Sequence, residues 1–209
     1  MTNRATPALQ ADSSTPLGAR ILVVGSSCSG KTTVAAHLAD RFGLDFVELD
    51  ALSWKPGWVS ASDEEFREKL AAATAGDCWV VAGAYHRFTY PVLWPRAETI
   101  IWLDFPLRVL TWRLLRRSWR RWRSKELLWG TNTERFWPQL KIWNKQDSLV
   151  AFTWGAHRGK NERYEAGMNA PEWSHIRWFR LRGQREIDAF LRQLDTPTGS
   201  AGTLRVRSR

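Results

Sequence analysis

Eight residues, Gly25-Ser26-Ser27-Cys28-Ser29-Gly30-Lys31-Thr32, spell G-x-x-x-x-G-K-T, and their setting narrows the fold more than any other feature. The preceding run, Arg20-Ile-Leu-Val-Val24, is short, apolar and partly β-branched, which predicts a buried strand. Val34, Ala35, Leu38, Ala39 and Phe42 then recur at helical spacing, with Gly43 placed as a C-cap. Strand, glycine-rich turn and helix in that order make a phosphate loop. Backbone N–H groups close around phosphate oxygens, and the helix aims its positive N-terminal end at them. Lys31 would reach the terminal phosphates and the Thr32 hydroxyl would ligate Mg²⁺. The expected nucleotide contacts are Gly25, Ser26, Ser27, Cys28, Ser29, Gly30, Lys31, Thr32 and Thr33, with ATP and Mg²⁺ as cofactors.

The rest of the chain repeats the alternation. Asp45–Leu49 ending at Asp50, Asp77–Ala82, Thr99–Leu103 and His175–Leu181 read as further strands. Helices are expected over Asp63–Ala75, from Pro106 to about Arg123 and over Gln184–Leu194. Asp104 is placed to cap the second of these and Pro106 suits its first turn. The stretch 133–167 has helical composition, broken near Gly155 and Gly159, and Trp54-Lys-Pro-Gly-Trp58 is loop chemistry. Strands alternating with helices predict an α/β fold, a five-stranded parallel sheet sandwiched by helices.

A length of 209 residues suits one such domain. Residues 1–18, rich in Thr, Ser, Ala and Pro, read as a disordered leader, 19–194 as the domain and 195–209 as a flexible basic tail. No apolar run approaches a membrane span and two cysteines make no disulfide framework, so the expected setting is the cytoplasm. A net charge of +10 suits polyanionic partners, either nucleotides or nucleic acid.

Beyond the phosphate loop, Leu49-Asp-Ala-Leu-Ser-Trp-Lys-Pro-Gly-Trp58, Trp79-Val-Val-Ala-Gly-Ala-Tyr85, Thr99-Ile-Ile-Trp-Leu-Asp-Phe-Pro106 and the Arg/Trp-rich segment after it resemble the small adenylate-kinase-like P-loop proteins, in particular the group of topology modulation proteins and adenylate-kinase-related kinases. The resemblance spans about Arg20 to Leu194 and implies a nucleoside-monophosphate-kinase-like fold with an Arg/Trp-rich helical lid over about 107–167. It implies two lid arginines, Arg113 stacking on the donor base and Arg117 meeting the transferring phosphate, and their four-residue spacing puts both on one helix face. It further implies that Arg87 contacts substrate, and that an acid at Asp50 holds Mg²⁺ through water or accepts the acceptor's proton. The alternative for Asp50 is a turn or cap residue. Where the group reads Asp-Gly-Asn-Tyr, this chain reads Ala82-Gly83-Ala84-Tyr85, without the acid expected beside the metal.

The catalytic expectation is therefore Lys31, Asp50, Arg87, Arg113 and Arg117, with Thr32 and Asp50 at the metal. Trp54 and Trp58 could line an acceptor pocket or pack in the core; His86, Arg158, Arg163 and Gly183 are lesser candidates. The leading expectation is a kinase acting on a nucleotide or other small molecule. The alternatives are a nucleotide-dependent nucleic-acid-binding protein, motivated by Arg116, Arg120 and Arg121 among tryptophans, and a nucleotide-binding protein without turnover, motivated by Ala82 and Ala84.

Overall fold

In the computed structural model, strand β1 (Arg20–Gly25) lies at the centre of a sheet whose neighbours are β2 (Asp45–Glu48), β3 (Trp79–Ala82), β4 (Thr99–Leu103) and β5 (Arg177–Leu181). The structure describes residues 16–125, 127–130, 132–133, 136–137 and 148–195. All five strands are parallel, in the order β2-β3-β1-β4-β5. The alternation of side chains along the strands explains why both faces are covered. Ile21, Val23, Ile101 and Leu103 join one core, while Leu22, Val24, Ile100 and Trp102 join another across the sheet.

Helices α1 (Lys31–Phe42) and α7 (Gln184–Asp195) cover the first face through Val34, Leu38, Ile187 and Phe190, joined by Leu110 of α5 (Leu107–Ser124). The second face receives Leu49 from α2 (Leu49–Ser53), Phe66 and Leu70 from α3 (Asp63–Ala73), and Tyr164 from α6 (Leu149–Asn169). Short α4 (His86–Val92) leads into Trp94, fully buried between these elements. Trp79, Trp94 and Trp102 are the largest fully buried side chains, which accounts for part of the chain's high tryptophan content as core packing.

The α/β architecture with a five-stranded parallel sheet agrees with the sequence reading, with four local differences. Strand β2 stops at Glu48, so Asp50 sits in the first turn of α2. The Trp54–Trp58 segment is a small hairpin, Trp54–Lys55 pairing antiparallel with Val59–Ser60. Asp104 does not cap α5: Pro106 holds that position without a side-chain bond, and the Asp104 carboxylate instead pairs with Arg180 at 2.8 Å and accepts from Asn161. Helix α6 runs unbroken through Gly155 and Gly159.

At the edges, Leu17 is fully buried in the first core, so packing begins inside the stretch whose composition reads as a leader. Residues 1–15 and 196–209 lie outside the described residues, as do 126, 131, 134–135 and 138–147 of the stretch expected to form a lid. Among the described residues no helix is long and apolar enough to cross a membrane.

Candidate functional site

The phosphate loop leaves β1 at Gly25 and enters α1 at Lys31, at the C-terminal edge of the parallel sheet. Gly25 has φ 142°, and a Cβ there would lie 2.6 Å from the Leu103 carbonyl oxygen, so only glycine lets the loop turn so close to β4. Gly30 (φ 99°) and Cys28 (φ 62°) also occupy left-handed backbone, and Cys28 does so without glycine's freedom. The Ser29 hydroxyl is fully buried within the loop and has no hydrogen-bond partner among the described residues. A buried orphan hydroxyl at a helix N-terminus is the vacancy in bonding that a phosphate oxygen would satisfy.

Lys31 Nζ donates to the Ser26 carbonyl at 2.8 Å. Burial lowers its pKa from 10.5 to about 8; the Asp50 carboxylate opposes that shift, and Lys160 and Arg117 reinforce it. Asp50, Lys160 and Arg117 therefore act on the lysine through their charges, which links three of the five expected catalytic residues: Lys31, Asp50 and Arg117. Tyr85 donates its hydroxyl to Asp50 Oδ1 at 2.8 Å, and burial together with that carboxylate raises the phenol's pKa.

The Thr32 hydroxyl goes to a residue that sequence reasoning passed over. It donates to Glu48 Oε1 at 2.9 Å, not to Asp50. Glu48 ends β2 in register with Ala82 at the end of β3, so the neighbouring strand supplies an acid beside the position where one is missing. The signal was present as Glu48-Leu49-Asp50, two acids two residues apart at a strand end, but Glu48 reads as a strand residue when the strand is extended to Leu49. Thr32 and Glu48 are oxygen donors, too few for an all-protein cage, and among the described residues no cluster of three or more His, Cys, Asp or Glu could hold a metal. That sparse set fits Mg²⁺, which takes one or two protein oxygens and completes its shell with phosphates and water.

Helix α6 returns over the loop. His157 Nδ1 lies 3.2 Å from the Ser26 hydroxyl, and Asn161 donates to Asp104 at 3.0 Å, tying α6 to the end of β4. Burial lowers the pKa of Lys160, one turn from His157, against the pull of Asp50. His157 and Lys160 thus approach the Gly25–Thr32 loop, where Arg158 and Arg163 were the sequence candidates. Arg158 pairs with Glu162 at the surface, and Arg163 donates to the Gly159 carbonyl.

Two expected arginines stand further off. Arg113 donates to Gln184 at 2.9 Å, and its guanidinium lies 4.3 Å from the Phe105 ring centre, beside the start of α7. Arg87 is 69% exposed and ion-paired with Asp63 at the start of α3. Trp112, Arg113, Arg116, Arg117 and Arg120 line a groove of about 410 Å³ along α5. His86 packs on Tyr90 and Trp94, and burial lowers its pKa.

Residues 21–104, under half of the chain, match the model of the ATPase family associated with various cellular activities (AAA). A shikimate kinase from Nitratidesulfovibrio vulgaris is 29% identical over an alignment of 117 positions that covers 46% of this chain and 63% of that enzyme's length. Similar solved structures include a sugar kinase from Janibacter (22% identity, 84% of this chain and 94% of that one, TM-score 0.45) and a gluconokinase from Sinorhizobium meliloti (18%, 84% and 93%, 0.45). A shikimate kinase from Acinetobacter baumannii in complex with shikimate is 16% identical over 84% of this chain and 89% of that one, with a TM-score of 0.46. The chain thus has an α/β fold with the Gly25–Thr32 loop at the head of a five-stranded parallel sheet flanked by helices, and residues 21–104 are similar to that ATPase family.

Proposed function

We propose that this chain is an ATP- and Mg²⁺-dependent phosphotransferase that moves the γ-phosphoryl group to a nucleotide or other small molecule. The observation that carries the reading is the division of labour between two acids two residues apart: Glu48 takes the Thr32 hydroxyl, while Asp50 sits with the Tyr85 hydroxyl in the field of Lys31. A switch or motor needs the first acid; a second, aimed at the terminal phosphate's lysine, suits activation of an incoming acceptor hydroxyl. The stretch shared with a shikimate kinase points the same way.

In this reading the loop N–H groups and Ser29 hold the donor phosphates, and Lys31 leaves the Ser26 carbonyl to meet them. Thr32 and Glu48 would hold Mg²⁺, which would supply charge neutralisation when bound. Asp50 accepts the acceptor's proton, held in orientation by Tyr85. Arg117 and Lys160 lie where negative charge grows during transfer, Arg113 serves the donor base, and Arg87 stands at the acceptor rim. Catalysis then rests on positioning and electrostatics, without a covalent intermediate. The Glu48 carboxylate, in register with Ala82 on the adjacent strand, supports this reading over one without turnover. The test is ADP formation with a panel of nucleoside monophosphates, sugars and hydroxy acids; ATP binding with no acceptor-stimulated ADP would sink the proposal.

A second reading, nucleic-acid binding, is favoured by α5 alone. That helix carries seven arginines and no acid, Trp112 is 60% exposed, and Arg116 lies over its ring at 5.2 Å. It requires single-stranded DNA or RNA binding that weakens steeply with salt and is lost when Arg116 and Arg120 become alanine. Affinity absent at low salt removes it.

A further inference from the structure

Between α5 and α6, Leu127–Leu128 and Asn132–Thr133 pair antiparallel as a second small hairpin. This hairpin is fastened to the Trp54–Ser60 hairpin. Asn132, 2% exposed, accepts the Trp58 backbone N–H at 3.0 Å and donates to the Lys55 carbonyl at 3.0 Å. Trp58 Nε1 donates in turn to the Thr133 carbonyl at 3.0 Å. The rings of Trp54, Trp58 and Trp129 meet edge to face, with centres 5.5 and 6.0 Å apart.

At the tip, Trp129 has φ 50°, a conformation that a bulky side chain rarely adopts. Its indole Nε1 donates to Glu48 Oε2 at 3.1 Å, while the other oxygen of the same carboxylate receives the Thr32 hydroxyl. An unfavourable backbone at the residue that reaches a site is the kind of outlier from which a functional role is argued. A carboxylate with one oxygen fixed by an N–H has its other oxygen oriented, which is how outer partners tune a metal's ligands.

We propose that Trp129 is a positioning residue for the metal-side carboxylate: its indole N–H holds Glu48 turned toward Thr32, so that docking of the 127–133 hairpin on the Trp54–Ser60 hairpin sets the affinity for Mg²⁺ in the nucleotide complex. This rests on the ATP·Mg²⁺ reading above. The sequence signals that carry it are a tryptophan followed by Gly130 and an asparagine at 132, none of which belongs to the phosphate loop.

The test is calorimetric titration of the full chain with ATP over a series of Mg²⁺ concentrations, including none. Trp129→Phe keeps an aromatic ring, smaller than the indole, against Trp58 and removes the N–H. It is expected to bind metal-free ATP as wild type does, while needing on the order of tenfold more Mg²⁺ for half-maximal tightening. Asn132→Ala, which unfastens the hairpin with Trp129 intact, shifts the Mg²⁺ dependence in the same direction. Glu48→Gln shifts it at least as far, and adding Trp129→Phe to it causes no further change, because both act through one carboxylate. A wild-type Mg²⁺ dependence in Trp129→Phe, or effects of Trp129→Phe and Glu48→Gln that simply add, overturns the proposal while leaving the phosphotransferase reading standing. Absence of ATP binding by the wild type overturns both.

Discussion

Glu48 and Ala82 are register partners at the C-terminal ends of adjacent parallel strands, and the Glu48 carboxylate accepts the Thr32 hydroxyl at 2.9 Å. The strand beside Ala82 thereby ends in an acid that accepts the Thr32 hydroxyl. Glu48→Gln keeps the shape and loses the charge, so it should leave metal-free ATP affinity within a factor of about two and cut turnover by roughly 10²-fold or more, the usual effect of removing one preorganised electrostatic contact. Steady-state kinetics beside binding titrations check the split.

Asp50 predicts the opposite separation. Asp50→Asn should lower kcat by about 10² to 10⁴-fold while sparing both ATP and Mg²⁺ binding, because the lost function is proton acceptance from the acceptor. Tyr85→Phe removes only the hydroxyl that holds the carboxylate and should cost less. If Asp50→Asn instead weakens Mg²⁺ binding as strongly as Glu48→Gln does, the assignment of the two acids is reversed.

The buried Lys31 gives a pH dependence. Its free-protein pKa of about 8 lies below the ordinary 10.5, and bound phosphates favour its charged form. Binding ATP above pH 8 must then take up a proton, and affinity must fall as pH rises through 8 and beyond. For folding the sign is the reverse of a salt-bridged lysine: between about 8 and 10.5 the unfolded chain holds the proton more tightly, so Lys31's contribution to stability rises with pH across that window. Calorimetry in buffers of different ionisation enthalpy counts the proton; no uptake at pH 8.5 contradicts the placement of Lys31 at the phosphates.

Asp104 and Arg180 form the pair at the end of β4, with side chains only 12% and 21% exposed, and Arg180 also lies over the Trp102 ring at 4.1 Å. Asp104→Ala leaves the guanidinium half-buried without its main partner and should destabilise the fold by about 3 kcal/mol. Chemical denaturation reads this directly. A change near zero, accompanied by loss of Mg²⁺ binding, would move Asp104 from the scaffold to the metal.

The sheet was legible because its strands are buried on both faces and read as short apolar runs, from Arg20–Val24 to Thr99–Leu103. The phosphate loop was legible because its chemistry is local: every group from Gly25 to Thr32 is set by its neighbours in sequence. Glu48 was missed because its role depends on where β2 ends, and one residue of strand boundary separates a core-facing position from a site-facing one. Asp104 suggested a cap, since Asp before a helix commonly caps it, yet Arg180 lies 76 residues away in sequence and could be placed only by the pairing of β4 with β5. His157, Lys160 and Trp129 reach the site through the packing of α6 and of the 127–133 hairpin, and no spacing in the chain announces that.

The central claim, that this chain binds a nucleoside triphosphate on the Gly25–Thr32 loop, is tested most directly by titrating ATP into the wild type and Lys31→Ala in the presence of Mg²⁺. The account predicts saturable one-site binding by the wild type, weakened at least about tenfold in a folded Lys31→Ala protein. Equal affinity in the two proteins, or no binding by either, would contradict it.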